Sequence, residues 1–271
     1  MLFYKMLRWK NGFLQKDLVE EKQKEILDSI TYAKRLQEAI LPPKHFVKQH
    51  LPESFIFYKP KDIVAGDFYW MEVVNNTILI AAADCTGHGV PGAMVSVVCS
   101  NALNRAVFEF GNTEPGKILD KTRELVLETF SKSDTDVKDG MDISLAAINK
   151  DTREIKWAGA NSPFWYTDNS EMKELKANKQ PIGKTENPTP FTTHIIQLQK
   201  GESMFMLTDG FADQFGGDKG KKFKYKPLKD MLLQNVNLSL EQQMEQLESS
   251  FEIWKSNLEQ VDDVCVIGVK L

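Results

Sequence analysis

The chain has 271 residues, 42% of them apolar and 27% charged, and its formal charge is −4. A chain of this size buries about 70% of its unfolded surface, so it needs no disulfide or metal staple. The charge balance excludes a generally polybasic protein.

The opening residues 1–9 mix basic and apolar side chains, without the hydrophobic core or small-residue cleavage site of a secretory signal. No apolar run approaches the roughly 20 residues that cross a bilayer. Cys85, Cys99 and Cys265 show no C-x-x-C spacing, which argues against a cysteine zinc site and fits a reducing compartment. Residues 16–41 lack Gly and Pro and are dense in charge. Ile26, Ile30, Ala33, Leu36 or Gln37, and Ile40 recur there at spacings of three and four, which predicts a helix stopped by Pro42-Pro43. Two readings stand for it: a surface helix docked on its own domain, or a short parallel coiled coil joining the domain to a partner or upstream module.

After Pro52 the pattern predicts strands at 55–58, 68–74 and 77–83, the last two joined by an Asn75-Asn76 turn. Pro91 opens a helix whose apolar side reads as Met94, Val97, Val98, Ala102, Leu103 and Val107, and a second helix spans about 118–130. A polar loop at 131–140 returns to strands at 143–148 and 154–158. A pair at 164–166 and 172–175 follows around Asp168-Asn169. Strands at 194–198 and 203–208 frame Lys200-Gly201-Glu202 as a further hairpin, and helices near 227–234 and 240–258 precede a strand at 264–269. Without β-α alternation this order predicts an α+β fold: two mostly antiparallel sheets with helices packed outside. The last strand is expected to return to the earlier sheets. Residues 51–271 then form one domain, preceded by a linker or regulatory helix over 1–50.

Acids sit where these strands meet loops. Asp84 follows the apolar run 78–83, Asp209 follows 204–208, Asp262 shortly precedes the final strand, and Asp67 follows Gly66 at the start of another. Each alone reads as a turn former or cap. Together they suggest one rim of crowded carboxylates, which repel unless something positive lies between them. A pair of hard divalent cations would supply that charge and clamp a transferred phosphoryl group. The run Asp84-Cys85-Thr86-Gly87-His88-Gly89-Val90-Pro91-Gly92 adds a glycine-rich strand-to-helix loop, able to offer carbonyls to a cation or amides to an anion.

Eight stretches in order then resemble the bacterial PPM-type serine/threonine phosphatases of the SpoIIE/RsbU class, relatives of eukaryotic PP2C. They are residues 32–42, Val64-Ala65-Gly66-Asp67-Phe68-Tyr69, the glycine loop, Gly140-Met141-Asp142, residues 158–163, Pro181-Ile182-Gly183, Thr208-Asp209-Gly210 and Asp262-Asp263. The resemblance runs from about residue 30 to 271 and implies an αββα sandwich. It implies that Asp84 bridges two Mn²⁺ or Mg²⁺ ions, that Asp67 and the Cys85 carbonyl serve one of them, and that Asp209 and Asp262 hold the other. Asp262 is chosen over Asp263 because it matches the ligand position of the family's terminal acidic pair. Asp142 either reaches toward the metals or caps its strand, and Asn161 shapes the rim through its backbone. The implied reaction is direct attack of metal-activated water on phosphoserine or phosphothreonine. His88 is a weak candidate for the leaving-group acid, since it stands four residues beyond Asp84 where the PP2C acid stands two beyond; a loop-organising role is preferred.

The segment 218–229 carries six lysines and two aromatics. It reads as a solvated loop or as a flap that starts near the metal rim and steers phosphoprotein, and no nucleic-acid partner is expected. The resemblance further implies a phosphorylated protein substrate, with a STAS-type antagonist as one option, and an upstream sensor. The helix before Pro42 is expected to transmit regulation by forming a homodimer or by changing its docking on the domain, in a cytoplasmic place, alone or as the cytoplasmic end of a larger membrane-associated sensor. A catalytically silent signalling module and a hydrolase of another phosphate ester are the alternatives.

Overall fold

The computed structural model describes residues 2–131, 139–168 and 170–271. Residues 132–138 of the expected polar loop and Asn169 of the expected turn lie outside them. A long helix α1 (Leu2–Glu38) and a short α2 (Lys44–His50) lead into β1 (Ser54–Lys59), β2 (Phe68–Val74) and β3 (Thr77–Cys85). Helices α3 (Gly89–Phe108) and α4 (Pro115–Phe130) follow, then β4 (Met141–Asn149), β5 (Glu154–Ala160), β6 (Phe164–Asp168) and β7 (Glu171–Leu175). After β8 (His194–Gln197) and β9 (Ser203–Leu207) come a one-turn α5 (Gly210–Asp213) and the two-residue strands β10 (Phe215–Gly216) and β11 (Lys221–Lys222). Helices α6 (Tyr225–Asn235) and α7 (Leu240–Lys255) and strand β12 (Val264–Lys270) complete the order.

Two five-stranded antiparallel sheets, β1-β12-β9-β6-β7 and β2-β3-β4-β5-β8, form the centre. Period-two alternation gives each strand two apolar faces. In β3, Leu79, Ala81, Ala83 and Cys85 pack under α3 and α4, while Ile78, Ile80 and Ala82 meet the other sheet. In β12, Cys265, Ile267 and Val269 point to that inter-sheet core, and Val264 and Val266 face Leu228, Leu232, Leu247 and Phe251 of α6 and α7. The result is a helix–sheet–sheet–helix stack. A Ser239–Gln242 capping box starts α7.

Most predicted elements stand, with instructive departures. The stretch 194–208 is not a hairpin: β8 pairs with β5 in one sheet, while β9 lies between β12 and β6 in the other. Burial separates them physically, because β9 is buried along its whole length and β8 is a half-exposed edge. The buried face of α3 also differs from expectation. Met94 and Val97 face solvent, and Ala93, Ser96, Cys99, Ala102 and Ala106 face inward with Leu103 and Val107. Small residues let the helix approach the sheet closely, so side-chain size, not hydrophobicity alone, selects the face. Strands β3 and β4 start or end beyond their predicted limits, which carries Asp84, Cys85 and Asp142 inside the sheet. The short α2 and α5 were not anticipated.

The end of α1 is anchored. Its Gln37 side chain, 5% exposed, donates to the Ala65 carbonyl (2.6 Å) and Ser96 Oγ (3.0 Å) and accepts from the Ala65 amide (3.0 Å). Further toward the N-terminus Leu18, Val19, Ile26 and Leu27 are more than half exposed.

Candidate active site

Sheet register assembles the acids. Asp84 lies opposite Asp142, and Cys85 opposite Met141, at one end of the β3–β4 pair. Asp209 follows β9 at the entry to α5, and Asp262 precedes β12, the neighbour of β9. Asp67 ends the loop between β1 and β2. Three glycines hold this region together: a Cβ on Gly66 or on Gly92 would overlap the Gly87 carbonyl oxygen, and Gly87 itself has φ +83°. Only backbone-to-backbone contact fits there, so the Asp67 loop, the 86–88 loop and the start of α3 press directly on one another.

The acids meet at a cavity of about 310 Å³ whose lining includes Asp84, Cys85, Asp142, Asp209 and Asp262, with His88 at its edge. Asp67 is not part of that lining. It is buried behind it, accepting from Thr208 Oγ1 at 2.6 Å, while the Tyr58 hydroxyl donates to its backbone carbonyl at 3.0 Å. Asp263 takes a different part: Oδ1 accepts from the Lys61 amide and Oδ2 from the Gly66 amide, both at 2.7 Å. One buried carboxylate thereby pins both ends of the loop that delivers Asp67. Asn161, in the left-handed region at φ 55°, donates to Asp142 Oδ1 at 2.8 Å, so its side chain as well as its backbone shapes the rim. Asp142 itself is the second residue of β4 and faces the cavity. The paired 141 and 182 backbones bring Pro181 and Gly183 alongside.

Crowding shows in the ionisation of these groups. Burial, then the neighbouring Asp209, Asp262 and Asp142, pushes Asp84 up to about 8. Burial, Asp213 and Asp262 push Asp209 up to about 6, partly offset by a hydrogen bond with Asp84. Burial and Asp84 hold Asp67 well above the usual carboxylate range despite its bond from Thr208. Burial also raises Asp142 and Asp263. The Cys85 thiol is raised by burial and packs with the core under α3, so it is not a thiolate nucleophile.

Among the described residues no three carboxylate, histidine or thiol groups close into a ready-made metal shell. The donor set is nonetheless all-oxygen and half-buried, and among the described residues burial and other acids, not lysine or arginine, lead its shifts. Such a set fits hard divalent cations that keep much of their water and take only one or two carboxylates each. The four acids expected on one rim were Asp67, Asp84, Asp209 and Asp262; the last three line the cavity and Asp67 is buried behind it, while Asp142, read either as reaching toward the metals or as capping its strand, also lines it. The sequence reading also missed Thr208 on the Asp67 carboxylate and Tyr58 on the Asp67 backbone, and gave Asn161 a backbone role alone. Tyr225 was missed as well; its phenol is raised by burial and by the charges of Asp209, Asp213 and Asp84. None of these carries a periodic or spacing signal.

The lysine-rich segment is tied down against α5 and α7. Lys222 pairs with Asp213 at 2.6 Å, and Phe223 packs edge-on against Phe211 and Trp254. In the cavity lining, His88 Nδ1 lies 2.8 Å from Asp62 Oδ2 and Nε2 lies 3.0 Å from Lys61 Nζ.

A family model described as stage II sporulation protein E (SpoIIE) matches residues 75–271. The phosphoserine phosphatase RsbU of Bacillus subtilis is 24% identical over 198 residues, covering 70% of this chain and 55% of its own length. The chain thus spans about half of that curated relative. Among solved structures, the SiaA-PP2C domain of Pseudomonas aeruginosa is 32% identical, with a TM-score of 0.84, covering 92% of this chain and 98% of its own. The PP2C domain of SpoIIE from Bacillus subtilis shares the fold at 17% identity, with a TM-score of 0.66, over 81% of this chain and 63% of that one.

Proposed function

Because the chain belongs to the SpoIIE family of PP2C-type serine/threonine phosphatases, we propose that it hydrolyses phosphoserine or phosphothreonine in a partner protein of a bacterial signalling pathway. The observation that carries this reading is the convergence of Asp84, Asp142, Asp209 and Asp262 on one open cavity, backed by buried Asp67. Two divalent cations, Mn²⁺ or Mg²⁺, would be held by Asp67, Asp84, the Cys85 carbonyl, Asp209 and Asp262, with Asp142 at the margin; when bound, they activate water and neutralise phosphoryl charge. The protein's own task is to keep these oxygens fixed. Thr208 holds the Asp67 carboxylate, Asn161 holds Asp142, and Asp263 holds the loop between β1 and β2. Water is the nucleophile in this reading. The Cys85 thiol is turned into the core, and the Thr86 hydroxyl is engaged with the Gly140 backbone.

Residues 1–50 are the regulatory part of this proposal and 51–271 the phosphatase domain. The docked end of α1, through Gln37, supports control by helix docking, and the exposed Leu18, Val19, Ile26 and Leu27 support pairing with a second copy or an upstream sensor. A phosphorylated STAS-type antagonist is the proposed substrate, and the cytoplasm, free or beneath a membrane-associated sensor, is the proposed location. Phosphopeptide hydrolysis by the purified chain with Mn²⁺, with Mg²⁺ and with chelator, beside Asp84→Asn, tests the central claim. Metal-dependent phosphate release that disappears in Asp84→Asn is expected. Metal binding without release from any phosphopeptide would leave a silent module, and release from nucleotides alone would make it a different hydrolase.

A further inference from the structure

An anionic cavity that accepts a phosphate monoester gains from a cation beyond any bound metal, and among the described residues none of those lining this cavity is Lys or Arg. The neighbouring contacts supply a cation. Lys61 Nζ donates to the Val261 carbonyl at 2.8 Å and lies 3.0 Å from His88 Nε2. Val261 precedes Asp262, and both His88 and Asp262 line the cavity, so the ammonium stands at its edge between them. An ammonium only donates, which makes His88 Nε2 the acceptor. The ring proton then sits on Nδ1 and is given to Asp62 at 2.8 Å. Of the three N–H bonds of Lys61, Val261 and His88 take two. Among the described residues the third has no acceptor, which leaves it for an oxygen arriving in the cavity, and a phosphoryl group offers three strong acceptors.

We propose that Lys61 is the cationic group that receives the substrate's phosphoryl oxygens, with His88 and Asp62 as positioning residues that hold its ammonium at the cavity edge. The proposal rests on the phosphatase reading above, and it reassigns His88. With its Nε2 lone pair committed to Lys61, this ring has no proton there to give a departing serine or threonine oxygen. The loop that carries Lys61 is fixed independently of its side chain, because the Lys61 and Gly66 amides are both bound by Asp263. Removing the ammonium therefore leaves the loop in place.

The test compares Lys61→Ala, Lys61→Arg, His88→Ala, His88→Gln and the Lys61→Ala/His88→Ala double variant, all loaded with Mn²⁺. Two substrates are used: a phosphoserine peptide, and p-nitrophenyl phosphate, whose nitrophenolate leaves without needing a proton. Lys61→Ala is expected to lose about 10- to 100-fold in kcat/KM on both substrates alike, the worth of a charge-assisted hydrogen bond. His88→Ala should lose less, equally on both, with partial recovery in His88→Gln and in Lys61→Arg. The double variant should be no worse than Lys61→Ala. Independently of turnover, inorganic phosphate should raise the Tm of the Mn²⁺-loaded unsubstituted chain and not that of Lys61→Ala, whose Tm without phosphate should be unchanged. A His88→Ala loss confined to the phosphopeptide would make His88 the proton donor and overturn the proposal. Equal phosphate stabilisation of the unsubstituted chain and Lys61→Ala, or none in either, would also overturn it. If the unsubstituted chain turns over neither substrate, the phosphatase reading fails, and the phosphate melts still judge Lys61.

Discussion

Replacing Gln37 by Ala tests whether α1 and the metal-side loop are mechanically joined. The substitution leaves the amide and carbonyl of Ala65, a residue with no solvent exposure, without their side-chain partner. Ser96 loses less, because its hydroxyl keeps the Ala93 carbonyl at 2.8 Å. An orphaned buried polar group costs about 1–3 kcal/mol, so the two together predict a destabilisation of about 2–6 kcal/mol. Water entering the vacated volume would lower that toward about 1 kcal/mol. Urea denaturation measures the loss, with Lys34→Ala as the control: its pair with Glu38, at 3.7 Å and half exposed, is worth less than about 0.5 kcal/mol. Because Ala65 lies two residues before Asp67, Gln37→Ala should also shift Mn²⁺ titrations to higher concentration. Stability within about 0.5 kcal/mol of the unsubstituted chain, together with an unchanged Mn²⁺ titration, would refute the idea that α1 acts on the site through Gln37.

The acid cluster predicts how the metal-free chain responds to pH. Asp84 and Asp209 titrate near about 8 and about 6 when folded, against about 3.9 when unfolded. The folded chain therefore holds more protons between those values, and its stability, full below about pH 4, falls as pH rises through 6 and 8. Chelator-treated protein should melt at lower temperature at pH 8.5 than at pH 5, with Mn²⁺ narrowing the gap; a Tm that climbs with pH would contradict the crowding. Gly92→Ala should cost at least about 2 kcal/mol by driving a methyl into the Gly87 carbonyl. It should also weaken metal binding, whereas Gly111→Ala, in open space though at φ +67°, should cost about 1 kcal/mol and leave metal binding alone.

Much of this architecture was legible because its strands are short apolar runs between turn residues, as in 68–74 and 77–83, where only the far limit of the second moved. Legibility failed where sequence neighbours are not spatial neighbours. The 194–208 segment has the local signature of a hairpin, yet its halves belong to different sheets, and only the complete burial of 203–207 distinguishes them. The face of α3 was misjudged because large apolar residues were weighted above small ones that permit close packing. At the site, acids at strand ends were a sound guide to Asp84, Asp209 and Asp262. The contacts that fix Asp67 and its loop were invisible: Lys61 meets Asp263 across 202 positions and Thr208 meets Asp67 across 141, separations that no window of sequence contains.

The position of β12 sets an order of assembly. It inserts between β1 and β9, so the first sheet strand waits for residues 264–270 before it gains a partner in its own sheet. Asp262 and Asp263 arrive with the same segment, and until then the loop bearing Lys61 and Asp67 lacks the carboxylate that binds its Lys61 and Gly66 amides. On a translating ribosome, the β2-β3-β4-β5 ladder can form while β1 stays unpaired, and contacts of such long range make the final step slow. A nascent chain short of residue 262 therefore carries most of its acids but no assembled cavity, so the emerging polypeptide passes through synthesis without a working centre.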